Sequence, residues 1–287
     1  EASTPDLAAG QTRLKPRLRA GFGSAAGEFI TDKDLTRQIL ILAATWIALA
    51  LSILAEALPI NGLLSVEIFA SFPVYFTPAG YVFSIWRLIW LGWLVYGVYQ
   101  ALPAQRRNPR LRSIGAPVLV ALAANGLWVL LWHFRLFALA LLALLTLLAA
   151  LINVYQRLRI GRASPPAVER WAVDLPFSIY LGWITVVVMA HVTVLLSHWG
   201  WKGFGLHQET WLVMVLAAAL ILATLVALTR ADVPFLLVLA WAFAGIGVKH
   251  PAVSPVAPAA WAAAGYLLAL VIMCLFARPW RRSRPAA

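Results

Sequence analysis

Trp86, Trp90 and Trp93 recur at i, i+4 and i+7, so a helix sets all three on one face. Arg87 stands beside the first of them. Flat rings can stack on a flat apolar ligand, and a guanidinium can pair with a ligand carboxylate. An interfacial aromatic belt is the plainer reading of such rings. It suits Tyr81 and Trp86, but not Trp90 and Trp93, which lie deeper in the apolar stretch. Arg87 has three readings: an ion pair with Glu56, a ligand contact, or a side chain that snorkels to the interface.

Two other stretches carry polar groups among apolar ones. "AANGLWVLLW" holds Asn125, Trp128 and Trp132. "DLPFSIYLGWITVVVMAH" holds Asp174, Pro176, Tyr180, Trp183 and His191. Asn125 either bonds a neighbouring helix or faces a ligand. Asp174 reads as an N-terminal charge or a partner for loop arginines. The histidines are His133, His191, His198, His207 and His250, and none stands at HxxxH spacing. A membrane histidine can ligate a haem iron or a chlorophyll magnesium; a hydrogen-bonding role is the commoner one. The chain has no Ser-His-Asp order, P-loop or GxGxxG stretch. The residues therefore point to binding and not to an enzyme. The one cysteine, Cys274, lies in an apolar stretch and reads as a small hydrophobe.

The elements that position these residues are membrane helices. The chain is 62% hydrophobic and 12% charged, with a mean hydropathy of +0.83. Soluble domains are about 45–50% apolar and about 25% charged. A bilayer core of about 30 Å needs about 20 apolar residues per helix. The expected spans are 38–59, 81–102, 114–133, 136–156, 173–196, 210–229, 233–249 and 259–277, the seventh being short. The fold class is all-α, a polytopic membrane protein of about eight transmembrane helices. Long continuous apolar stretches exclude a β-barrel, whose strands alternate.

A formal charge of +12 suggests nucleic acid, but its placement says otherwise. All Lys and Arg except Arg87, Arg135, Lys202 and Lys249 precede the first span, follow the last, or lie in alternate connections. That is the positive-inside pattern, and it sets both termini on the cytoplasmic side, or its stromal or matrix equivalent. The membrane is a bacterial inner membrane or an organelle membrane. Residues 1–37 read as a polar tail, with Thr31 as a helix cap, and residues 278–287 as a basic tail. Residues 60–80 form a long external connection that includes Tyr75, long enough to be a lid.

These motifs resemble the TspO/MBR family of tryptophan-rich sensory and translocator proteins. The family has a five-helix membrane core and a proline-aromatic lid before its second helix. Phe76, Thr77, Pro78, Ala79, Gly80, Tyr81, Val82, Phe83, Ser84 and Trp86 stand where that family reads W-x-P-P-x-W-x-F-G-x-x-W. Asn125 and Trp128 match its N-x-x-W, and Pro176, Trp183 and His191 match the Pro, Trp and Asn of its fifth helix. Four departures stand out: Phe76 for Trp, Ala79 for the second Pro, His191 for Asn, and one residue fewer between Tyr81 and Trp86. The resemblance covers about 38–196. Residues 197–277, three further spans, fall outside it.

The resemblance implies a five-helix cavity for apolar flat ligands: a tetrapyrrole such as haem, porphyrin or chlorophyll, or a sterol. Tyr75, Tyr81, Trp86, Arg87, Trp90, Asn125, Trp128, Tyr180, Trp183 and His191 are the ligand-binding candidates it implies, with no metal ligand among them. Arg87 would meet a propionate. Three function classes follow: a tetrapyrrole-binding sensor or regulator, a structural or pigment-associated subunit of a larger complex or homo-oligomer, and a small-molecule transporter. A reporter fused after Ala287 should read as cytoplasmic in a topology assay; an external reading would overturn the span count.

Overall fold

The computed structural model describes residues 19–282, with side chains described for 33–276. Its order is α1 (Arg19–Ala57), α2 (Ser65–Ala70), α3 (Ile85–Ala101), α4 (Pro109–His133), α5 (Phe137–Leu158), α6 (Ala167–Glu169), α7 (Leu175–His198), α8 (Gln208–Arg230), α9 (Val233–Lys249) and α10 (Val256–Arg282). Among the described residues, seven helical stretches are long and apolar enough to cross a membrane. The eighth, α9, is shorter at 17 residues. Helices are the form that satisfies every backbone group without water, which lipid demands. Outward side chains such as Ile47, Leu142, Ile221 and Leu225 are exposed, as lipid solvation permits.

Local sequence starts these helices where expected. Asn108 accepts from the Arg110 N–H ahead of Pro109, and Asp232 accepts from the Phe235 N–H ahead of Pro234. α1 differs: it begins at Arg19, so Thr31 is not its cap and helix covers residues 19–37 of the segment read as a tail. No proline interrupts the chain between Pro16 and the first span, so nothing there stops the helix. Residues 1–18 and 283–287 lie outside the described residues.

Five helices close a ring: α1 packs on α3, α3 on α7, α7 on α5, α5 on α4, and α4 on α1. The remaining three form a layer on the α7 side, with α9 against α7, α10 against α9, and α8 against α10. Gly182 allows the α7–α9 approach, since a Cβ there would lie 3.2 Å from the Phe235 carbonyl oxygen.

One end of the ring is tied by polar groups. Gln38 Nε2 donates to the Gln100 carbonyl at 2.6 Å, and Gln100 Nε2 donates back to the Gln38 carbonyl at 3.0 Å. Arg112 pairs with Asp34 at 3.0 Å. Arg110 pairs with Glu169, pairs with Asp174 at 2.9 Å, and donates to the Leu158 carbonyl. Asp174 is thus the partner of a loop arginine. The basic residues of three connections meet at this end, as the alternation of charge requires. Both carboxylates facing Arg110 are nearly buried, and removing one partner of a buried pair costs about 3–5 kcal/mol. Arg110→Ala should therefore lower the thermal unfolding midpoint in detergent more than Arg107→Ala, which removes an exposed charge.

Candidate ligand-binding site

α1 and α3 touch at the polar end, where Gly97 brings the chain close to Thr45. At the opposite end they border a cavity of about 480 Å³, within the usual range of roughly 300–1,000 Å³ for ligand pockets. Ser52, Ala55 and Glu56 of α1 form one wall. Trp86, Arg87 and Trp90 of α3 form the facing one. Trp128 and Val129 of α4 and Val187 of α7 lie at the back. Leu64, Ser65, Val66 and Phe69 come from the connection over the mouth, and Gly80, Tyr81, Phe83 and Ser84 from its end. Trp241 of α9 completes the lining.

The connection read as a lid does pack over the ring. Ile68 and Phe69 of α2 are buried, and Phe69 lies 4.4 Å from the Trp132 ring. Asn61 Nδ2 donates to the His133 carbonyl at 3.1 Å. The His133 ring lies between the Val129 carbonyl, at 2.7 Å from Nδ1, and Ser65 Oγ, at 3.2 Å from Nε2. The tight turn after α4 therefore holds the lid at its start.

The expected site residues divide into lining and support. Tyr81, Trp86, Arg87, Trp90 and Trp128 line the cavity. Trp86 and Trp128 stack with centroids 5.9 Å apart and planes 23° from parallel. Asn125, Tyr180, Trp183 and His191 are buried behind that lining. Tyr180 O–H donates to Asn125 Oδ1 at 3.0 Å, and Asn125 Nδ2 donates to Ser52 Oγ at 3.3 Å, joining α7, α4 and α1. Trp183 meets Phe83 and Trp86 edge-on. Trp128 Nε1–H donates to His191 Nδ1 at 3.5 Å, so Nε2 carries the proton and donates to the Phe137 carbonyl at 3.0 Å. Both His191 nitrogens are thereby engaged, and neither is free for a metal. Trp93 is buried against Tyr180.

Tyr75 lies elsewhere. Its O–H donates to Glu209 Oε1 at 3.2 Å, and its ring meets His250 edge-on at 5.3 Å. It fastens the lid to the additional helices and does not line the cavity. Arg87 and Glu56 are both exposed at the rim. Among the described residues neither makes an ion pair or a side-chain hydrogen bond, so the Glu56–Arg87 pair does not form. Sequence reading missed Ser52, Val187 and Trp241 as lining residues. For Trp241 a faint signal existed, a large and a small residue, Trp241 and Gly245, one turn apart on one face.

A family model described as TSPO-like protein matches residues 38–274. The chain belongs to that family. The match runs beyond the ring through all three additional helices, so this TSPO-like chain carries them as part of its family pattern. A search of curated proteins and of solved structures found no match. The TSPO-like chain is an integral membrane protein with a helical fold throughout the described residues.

The lid's second fastening is sensitive to pH. Burial, and then the neighbouring Lys249 ammonium, hold the His250 imidazole below its ordinary value. The unfolded chain therefore takes up this proton first. Its contribution to stability is present above about pH 6.5 and is lost as pH falls below that towards the lower folded value. His250→Phe keeps an aromatic edge for Tyr75 and removes the titration. Its unfolding midpoint should fall less between about pH 7 and about pH 5 than the parent's; an equal fall would exclude His250 as the cause.

Proposed function

We propose that this protein binds an apolar, flat ligand of the tetrapyrrole class in the five-helix cavity and serves as a sensor or regulator, with both termini on the cytoplasmic side. The observation that carries this reading is the lining itself. Trp86, Trp90 and Trp128 offer flat aromatic surface, and the one cation among the lining residues, Arg87, stands at the rim. A ring system buried against the tryptophans would have its carboxylates beside Arg87. Ring stacking adds about 0.5–1.5 kcal/mol per pair beyond the burial of area. The protein's contribution is surface, shape and one charge. With His191 bound to Trp128 and Phe137, the site suits a porphyrin held by its faces and carboxylates and not by a histidine on its metal.

A docking subunit of a larger complex is supported by less. Of the three further helices α9 is occupied within the chain, since it lies between α7 and α10 and meets the segment leading into α3, while α8 and α10 keep exposed apolar side chains such as Ile221 and Ile272 that lipid alone accounts for.

Titration of the purified protein with protoporphyrin IX, read by tryptophan quenching, tests the proposal. Trp128→Ala should weaken binding about tenfold, the loss of one stacked ring and its buried area. Arg87→Ala should weaken it less, and more for a porphyrin with free carboxylates than for its dimethyl ester. Tyr75→Phe should leave it unchanged. Folded variants that all bind like the parent would place the site elsewhere.

A further inference from the structure

α9 makes an unusually close approach to the lid. A Cβ on Gly245 would lie 2.2 Å from Val82 Cγ2, so a larger residue could not stand there without moving the loop. The Gly245 carbonyl accepts from the Ala79 N–H at 3.0 Å. One turn earlier, the Trp241 Nε1–H donates to the Val82 carbonyl at 3.4 Å. Two groups on one face of α9 thus hold the backbone of residues 79–82, and Val82 is fully buried. Phe76 adds an edge contact to Phe243 at 6.1 Å.

The Trp241 ring does more than fill this joint. It meets Tyr81 edge-on at 5.1 Å and lines the cavity, yet remains 43% exposed. Its place in the lining, and not its exposure, separates it from lipid-facing tryptophans such as Trp46 and Trp261. This ring reaches the cavity from a helix outside the five-helix ring, beside Tyr81 and Ser84 at the start of α3.

We propose that Trp241 is a ligand-contact residue, and that α9 is a working part of the binding site as well as the support of its lid. The inference rests on the reading of the cavity as a ligand site. It gives the additional helices a role: they supply an aromatic wall that the five-helix ring lacks at this point, and they fix the segment that carries Tyr81 and Phe83. The bound ligand would lie against three tryptophans of the ring, on one side, and against Trp241 where α9 meets the lid.

Protoporphyrin IX titration of the full chain, combined with thiol protection, tests this. Trp241→Ala should weaken binding about tenfold. Trp241→Phe keeps a ring and loses only the bond to Val82, and should stay near the parent. The native Cys274 is buried, so background alkylation is low. In Trp241→Cys, porphyrin at a concentration that saturates this variant should slow alkylation by N-ethylmaleimide. In Leu237→Cys, one turn away on α9 and not in the lining, it should not. If the parent and Trp128→Ala behave as proposed but Trp241→Ala binds normally and position 241 is unprotected, the role of Trp241 is overturned and the cavity stands. A Trp241→Phe variant as weak as Trp241→Ala would also overturn it, assigning the effect to the lid bond. A parent that binds no porphyrin overturns the cavity reading and this inference together.

Discussion

α1 and α3 are held together at one end only. At the polar end the reciprocal Gln38–Gln100 bonds and the Gly97–Thr45 contact bring the two helices against each other. At the other end indole rings stand where small residues would have let the helices close. A five-membered ring of helices with one unequal gap must enclose space there. That space is the cavity, and the lid, its fastenings and the additional helices are arranged around its mouth.

Polar groups are rare in this chain; the indole N–H groups of Trp90, Trp132 and Trp183 find no hydrogen-bond partner among the described residues, while several polar side chains behind the cavity pair with one another. Asn125 satisfies Tyr180 and Ser52, His191 satisfies Trp128 and Phe137, and His133 meets the lid and its own helix. In lipid an unmade bond is costly, so these pairs set helix register as much as they add stability. The consequence for the site is a firm back wall. Trp128 is held by its N–H, Trp86 stacks on it, and Trp183 and Tyr180 support Trp86 from behind. For the binding proposed above, such a wall would need little rearrangement to meet a flat ligand, which would keep the entropic cost low.

The lid is fastened twice and from different directions. Asn61 and Ser65 tie its start to the α4–α5 turn, while Tyr75, Ala79 and Val82 tie its end to α8 and α9. Both sets lie within the family match, so the three further helices belong with the TSPO-like fold and are not an appended unit. The pH-sensitive group sits at this second fastening, outside the spans and away from the cavity.

The helices, their alternation and the polar end were legible in the sequence because apolar length and arginine placement follow from bilayer thickness and insertion alone. The aromatic face of α3 was legible because a period of 3.6 fixes which residues share a side. What Trp86, Trp90 and Trp93 face was not, since period says nothing of the neighbour. Trp93 went into packing while Trp86 and Trp90 met open space. Asn125, Tyr180, Trp183 and His191 carry polar or aromatic groups that sequence places at the right depth, yet only the packing of α1, α4 and α7 turned them to each other and behind the lining. Glu56 and Arg87 stand at similar depth with opposite charge, but the gap between their helices keeps them unpaired. Trp241 lies far along the chain in an Ala-rich helix, and its place in the cavity arises from a contact with residues 79–82 that no local pattern encodes. Composition and period determine what each helix is; which helix touches which, and where they fail to touch, is decided by tertiary packing.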